Sequence, residues 1–215
     1  MILKGMEYKF ITIEGNIGAG KTTLAKALGE YYKARLVLEE FADNPFLPKF
    51  YKNPEQYAFP VELFFMAERY KQQKEFLIPN DLFRQPVISD YLFIKSLLFA
   101  KVNLNEDEFR LYQKFFEILF QQLPQPEILI YLHVPVRKLQ QNIKKRNRPY
   151  ELEIPDDYLY NIQEVYTAHI KQHTIPTIFI DATNADFINN PNHLKVISDA
   201  LERQYETGSK VFFEL

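Results

Sequence analysis

The chain of 215 residues has no cysteine and no tryptophan. Without cysteine there is no disulfide scaffold, no thiolate zinc site and no thiol nucleophile. That fits a reducing compartment, and a cytoplasmic location is the expectation. An excess of charge is also lacking: 26 Lys and Arg stand against 28 Asp and Glu, a net charge of −2. No bulk attraction to nucleic acid or to an anionic membrane follows, and neither is expected as a partner. No apolar run approaches the roughly 18 residues of a membrane span. The N-terminal MILKGMEYKF has no long apolar stretch and no small-residue cleavage site, so no secretory signal is expected. Glycine is scarce, with 6 in all, yet Gly15, Gly18 and Gly20 are clustered. A chain this sparing with glycine has placed it where the backbone needs unusual freedom.

What is present is an ordinary globular composition, 47% hydrophobic with 19 Phe and 14 Tyr. The length suits one domain over 1–215. Five runs are apolar through their middles: Phe10–Glu14, Arg35–Glu39, Pro86–Asp90, Ile128–Val134 and Thr177–Asp181. Continuous rather than alternating apolar residues mark strands buried on both faces. Between them lie helical patterns over Lys21–Lys33, Pro54–Ile78, Glu106–Gln122, Pro135–Arg146, Pro155–His173 and Asn192–Tyr205. The alternation predicts a three-layer α/β fold on a five-stranded parallel sheet. Lys210–Leu215 is compatible with an edge strand or a tail. The four histidines show no metal-ligand spacing, although His169 and His173 are one helical turn apart.

The strongest motif is Gly15-Asn16-Ile17-Gly18-Ala19-Gly20-Lys21-Thr22, which fits G-x-x-x-x-G-K-[ST] at every fixed position. A strand precedes it and a helix follows. Such a loop turns successive backbone N–H groups inward onto phosphate oxygens, and the helix N-terminus adds partial positive charge. Lys21 is placed for the β- and γ-phosphates, and Thr22 supplies a hydroxyl for Mg²⁺. The expected ATP-binding set is Gly15, Asn16, Ile17, Gly18, Ala19, Gly20, Lys21, Thr22 and Thr23. Phosphate binding alone leaves a small-molecule kinase or a nucleotide-dependent switch or motor. The sequence contains no D-x-x-G and no N-K-x-D, and Ile128–Val134 carries no acid. Those absences favour the kinase.

Further elements resemble the deoxynucleoside kinase family, its bacterial deoxyguanosine kinase branch in particular, from about Tyr8 to Phe187. After the second strand, Glu39-Glu40-Phe41-Ala42-Asp43-Asn44-Pro45-Phe46-Leu47 is similar to the family's E-x-x-x-D-N-P-[FY]-L element. The resemblance makes Glu39 the general base toward a nucleoside 5′-hydroxyl, with Glu40 ranked second because it alternates to the other face. It makes Glu62 the reader of the base, with Arg69 in support; seven residues apart, the two share a helix face. Many relatives carry Gln at that position. An ionised Glu accepts only, and guanine offers two adjacent donors, N1–H and N2–H₂. Adenine and cytosine each offer one donor beside one acceptor, which suits an amide. Glu62 therefore points to guanine.

The same resemblance makes Asp90 a holder of Mg²⁺ beside Thr22. It makes 144–154 a lid like the family's R-x-R-x-x-E segment, with Arg146 and Arg148 as phosphate-facing cations. Tyr51 and Glu151 would grip the sugar 3′-hydroxyl, and the loop from Asp181 to Phe187 would cover the adenine of ATP. Two positions depart from the pattern: Tyr91 and Asn142 stand where relatives carry Arg. Arg69 or Lys95 is the candidate replacement for the charge missing at 91. The stripe Phe109/Tyr112/Phe116/Phe120 reads as core or as a dimer face, and the family implies a homodimer. The activity expected is transfer of the γ-phosphate of ATP to the 5′-hydroxyl of a purine deoxynucleoside, deoxyguanosine first. The alternatives are a deoxyadenosine or broad-range kinase, and a weakly catalytic nucleotide-binding subunit.

Overall fold

In the computed structural model, residues 7–39, 44–77 and 85–215 are described. Glu40 and the stretch 41–43, like Ile78 at the expected end of its helix, lie outside them. The strands are β1 (Phe10–Gly15), β2 (Arg35–Val37), β3 (Val87–Ser89), β4 (Ile128–His133), β5 (Thr177–Asp181) and β6 (Lys210–Glu214). They form one parallel sheet in the order β2-β3-β1-β4-β5-β6. β1 is buried along its whole length at the sheet's centre. This is why its sequence, FITIEG, is continuously apolar up to Glu14.

The sheet has six strands among the described residues, not the five expected. β6 pairs with β5 from Thr177↔Lys210 to Asp181↔Glu214. It is an edge strand covered on one face only. Val211 and Phe213 pack on the core, while Phe212 is 73% exposed and stacks on Phe179 at 4.7 Å. Its charged ends and half-covered middle remove the continuous apolar signal that marks the other strands.

The helices are α1 (Lys21–Tyr32), α2 (Leu47–Phe50), α3 (Pro54–Leu77), α4 (Lys95–Asn103), α5 (Glu106–Phe120), α6 (Val136–Arg146), α7 (Asp156–Gln172) and α8 (Pro191–Leu201). α4 has no counterpart in the sequence expectations. Lys95, Ser96, Leu98, Phe99 and Ala100 are all buried and only Lys101 is exposed, so the helix has too little polar face to give a 3.6-residue rhythm. α5 starts with a capping box between Asn105 and Glu108. On it Tyr112 and Phe116 are core, and Phe116 stacks between Phe93 and Phe120 at 5.1 Å each. The stripe read from the sequence is thus interior. A different stripe, Leu111, Phe115 and Ile118, is exposed by 47%, 47% and 60%. No helix among the described residues is long and apolar enough to cross a membrane.

The topology fixes where chemistry can occur. β2 and β3 lie on one side of β1, and β4 to β6 on the other. In open parallel sheets, ligands bind beyond the carboxyl ends of the strands where the winding reverses. The phosphate loop leaves β1 there, Glu39 lies two residues past β2, and Asp90 one residue past β3.

Candidate active site

The loop after β1 is held by its neighbours. Gly15 (φ +151°) passes so close to β4 that a Cβ would lie 2.7 Å from the Leu132 carbonyl oxygen. Gly18 (φ +82°) packs against α6, where a Cβ would meet Leu139 O at 3.0 Å and Ile143 Cγ1 at 3.1 Å. The Asn142 side chain donates to Gly18 O at 2.9 Å. Where the family pattern suggested a lost phosphate contact, Asn142 instead ties α6 to the loop. Asn16 is a brace: its Nδ2 donates to Leu159 O at 2.7 Å and its Oδ1 accepts from Ile17 N at 2.8 Å.

Above the loop is a cavity of about 850 Å³. Ile17, Gly18, Ala19, Gly20, Lys21, Thr22 and Thr23 line one end, with Lys138, Asn142, Lys145, Arg146 and Arg148 from α6 and its continuation, and Asn184–Asn189. Glu39, Tyr51, Glu62, Arg69, Lys95 and Phe99 line the other, and Asp90 lies between. Gly15, Asn16 and Asp181 are not among the lining residues. Asp181 accepts from Thr183 N and Oγ1, at 3.0 and 2.6 Å, so it shapes the turn that leads into the lining segment. Those bonds hold its carboxyl below the ordinary range.

Lys21 curls back on the loop, donating to Gly15 O and Asn16 O at 2.9 Å each. Burial, and then the nearby Lys95, lower its pKa to about 8, against the pull of Glu14, Glu39 and Asp90. Thr22 Oγ1 donates to Asp90 Oδ2. Asp90 Oδ1 accepts the Glu39 backbone N–H at 2.7 Å. A hydroxyl and a carboxylate side by side at the mouth of a phosphate loop are the hard oxygen donors that suit Mg²⁺. Among the described residues no group of three His, Cys, Asp or Glu forms a metal cage. The pair therefore fits an ion that keeps waters and phosphate oxygens for its other positions.

Glu39 is the most constrained side chain of the site. Arg69 grips its Oε1 through Nε at 2.7 Å and Nη2 at 2.6 Å, and Lys95 Nζ pairs with Oε2. Burial alone would raise the Glu39 pKa; the two cations outweigh it and bring it to about 2. Positive charge around this acid thus comes from α3 and α4. Tyr91 is buried and donates to Gln72 Oε1 at 2.6 Å, while Gln72 Nε2 reaches Leu38 O at 2.8 Å. Position 91 is therefore a support for the end of β2.

Glu62 lies on the same helix as Arg69 and lines the cavity with it, but the arginine's hydrogen bonds go to Glu39 and to Ser96 Oγ at 2.9 Å. The shared helix face does not bring Glu62 and Arg69 into a hydrogen bond, because the guanidinium is taken by Glu39. Glu62 is 2% exposed. Its Oε1 accepts from Asn103 Nδ2 at 2.6 Å, and Asn103 also donates to Tyr158 Oη at 3.1 Å. Among the described residues its Oε2 has no hydrogen-bond partner. Burial, only partly offset by Arg69, raises the Glu62 pKa to about 7.

The lid arginines meet on one acid: Arg146 Nη2 pairs with Glu151 Oε2, and Arg148 Nη1 with Oε1 at 3.3 Å. Tyr51 stacks on Tyr150 at 6.3 Å, and burial, with Tyr158 and Glu151 nearby, raises its hydroxyl well above the usual value. Tyr51 and Glu151 thus border the same part of the cavity.

Sequence reasoning missed two contributors, Asn103 and Glu14. Asn103 sits on α4, which lacked a periodic signal; Lys95, on the same helix, is a candidate named for the charge missing at 91, and it pairs with Glu39. Glu14 sits in β1, where a carboxylate inside a continuous apolar run was a readable anomaly. It is fully buried, accepting from Leu92 N at 2.6 Å and Tyr166 Oη at 2.8 Å, and so braces the turn that carries Asp90. Burial raises its pKa, with Lys95 and Lys21 opposing.

The chain is similar to known deoxynucleoside kinases. A deoxyguanosine kinase of Bacillus subtilis (strain 168) is 36% identical over 197 residues, which cover 88% of this chain and 94% of its own. A deoxyadenosine kinase of Dictyostelium discoideum is 33% identical over 165 residues, 76% of this chain and 67% of its own. A solved structure of deoxyadenosine kinase from M. mycoides, with the products dCMP and a flexible dCDP bound, superposes with a TM-score of 0.78 at 25% identity. It covers 89% of this chain and 98% of that one. Since a family model described as deoxynucleoside kinase also matches residues 11–205, the chain belongs to the deoxynucleoside kinase family.

Proposed function

We propose that the protein transfers the γ-phosphate of ATP to the 5′-hydroxyl of a purine deoxynucleoside, with deoxyguanosine preferred, in nucleotide salvage. The observation that carries this reading is one cavity holding a phosphate loop at one end and, at the other, a buried acid, Glu62, with an unpartnered oxygen. Glu39 lines the Glu62 end, and its backbone N–H is bonded to Asp90, which lies between the two.

The phosphate loop and Lys21 hold the β- and γ-phosphates of ATP. Arg146 and Arg148 leave Glu151 as the lid over 144–154 closes on the donor, and they spread charge from the equatorial oxygens. Glu151 and Tyr51 are then free to bind the 3′-hydroxyl. Thr22 and Asp90 would hold Mg²⁺, which when bound neutralises charge between the phosphates. Glu39 accepts the 5′-hydroxyl proton as that oxygen bonds to the γ-phosphorus and the bond to the β–γ bridging oxygen breaks, releasing ADP. A weakly basic carboxylate suits a loose transition state, in which the hydroxyl proton leaves late. Arg69 and Lys95 keep Glu39 ionised and fixed in place. The loop from Ala182 to Asn189 borders the donor end and packs over the adenine. Closure excludes water and limits ATP hydrolysis.

A cytoplasmic setting goes with this reading, as does a homodimer formed through the exposed α5 stripe. The test is product analysis with ATP and Mg²⁺. Deoxyguanosine is expected to give its 5′-monophosphate and ADP in equal amounts, and 2′,5′-dideoxyguanosine no phosphorylated product. Phosphate transfer to the second compound would overturn the assignment of the acceptor hydroxyl.

A further inference from the structure

The two oxygens of Glu62 are not equivalent. Asn103 Nδ2 donates to Oε1 at 2.6 Å, and the amide is itself held by Tyr158. Oε2 has no partner, although the residue lines the cavity and is buried. An orphaned carboxylate oxygen in a buried residue is costly unless a ligand or a proton satisfies it. Asn103 also decides where a proton can go. The carbonyl oxygen of a carboxylic acid is its better acceptor, so the Asn103 bond keeps Oε1 as the carbonyl and puts the hydrogen of a protonated Glu62 on Oε2.

Each protonation state then presents a defined pattern. Ionised, Glu62 is acceptor-only, with Oε2 open and a second lone pair on Oε1. That pattern matches the adjacent N1–H and N2–H₂ donors of guanine. Protonated, it presents a donor at Oε2 and an acceptor at Oε1. That matches adenine, whose N1 accepts and whose N6–H₂ donates.

We propose that Glu62, clamped by Asn103 through one oxygen, reads both purines: guanine as the carboxylate and adenine as the carboxylic acid. This deepens the deoxynucleoside kinase reading and rests on it. The surroundings keep both states accessible. Arg69 from α3 and Lys95 from α4 favour the ionised form, as does the Asn103 bond. Glu39 beyond β2 opposes it, as does burial. Tyr51, Tyr112 and Tyr158 also face Glu62 and stay neutral, because its charge and their own burial raise all three hydroxyls. The outcome is a carboxyl poised near neutrality, between the two purine-reading states.

The test is competition between equal concentrations of deoxyguanosine and deoxyadenosine, at saturating ATP, across about pH 6 to about pH 8. The product ratio reports the ratio of kcat/KM values. Ionisations common to both reactions cancel, as does the fraction of active enzyme. If each purine uses one state, the guanine-to-adenine ratio rises about tenfold per pH unit, up to about 100-fold over the range. Glu62→Gln is expected to give a flat ratio. Asn103→Leu removes a bond that favours the ionised form, so the curve moves to higher pH; a merely structural role for Asn103 would lower both rates and leave the curve where it was. A wild-type ratio constant within about twofold would overturn the proposal and leave the kinase reading standing. No monophosphate from either purine at any pH would overturn both.

Discussion

Replacing Glu39 by Gln removes a charge while keeping the side chain's shape, and it separates two roles of one residue. As the proton acceptor, Glu39 contributes a factor of about 10²–10⁴ in turnover, the usual range for a positioned general base. As the partner of Arg69 and Lys95 it also stabilises the fold. A fall in its pKa from 4.5 to about 2 corresponds to about 3 kcal/mol at neutral pH. Gln also turns an amide N–H₂ toward a cation, so the loss is about 3–5 kcal/mol, as when a buried pair loses one member. For a chain of this size that is a drop in Tm on the order of 10 °C. The sign of the pH dependence follows from a depressed carboxyl. Its contribution is complete above the unfolded value of about 4.5 and disappears as pH falls through about 2. The gap in stability between wild type and Glu39→Gln therefore holds from neutrality to about pH 5 and has shrunk by about 2 kcal/mol near pH 3. Thermal unfolding over that range and single-turnover phosphorylation at neutral pH read the two roles separately. Near-wild-type turnover would refute Glu39 as the base. An unchanged Tm would refute the Arg69–Glu39–Lys95 cluster.

Three further perturbations follow from the geometry. Gly18→Ala puts a methyl group 3.0 Å from Leu139 O at a positive φ, which costs about 1–2 kcal/mol and displaces the loop; KM for ATP is expected to rise at least about tenfold while that for the nucleoside changes little. Glu14→Ala strands the Leu92 N–H and the Tyr166 hydroxyl, which costs about 2–4 kcal/mol in urea unfolding and lowers kcat through Asp90. Replacing Phe115 and Ile118 together by Ser removes the exposed apolar stripe of α5; sedimentation is expected to show a dimer for wild type and a monomer for the variant, with the monomer's Tm within a few degrees of wild type.

The sequence carried the fold wherever a residue's surroundings left a periodic or continuous pattern. β1, β3, β4 and β5 were legible because burial on both faces demands unbroken apolar runs, the half-buried edge strand β2 by its short run ahead of Glu39, and the phosphate loop because its glycines have no substitutes at those dihedrals. β6 and α4 were not. The first is covered on one face only, and the second is buried except near its C-terminal end, so neither shows the rhythm of its class. The site divides the same way. Lys21, Thr22, Glu39, Glu62 and Asp90 were readable because each lies in a motif or at the end of a legible strand or helix. The pairing of Arg69 with Glu39 instead of Glu62 was not, since it depends on how α3 crosses β2. Asn103 was hidden with α4, although it sets the free oxygen of Glu62, and Lys95 was named for its charge but not for its pairing with Glu39.

The most direct test of the account is ATP-dependent phosphorylation of the four natural deoxynucleosides, side by side, by the purified protein near pH 7.5. The expected result is 5′-monophosphates from the two purines, deoxyguanosine the faster, with thymidine well behind. Preference for a pyrimidine would contradict the reading of Glu62, and ATP binding without transfer to any of the four would contradict the enzyme itself.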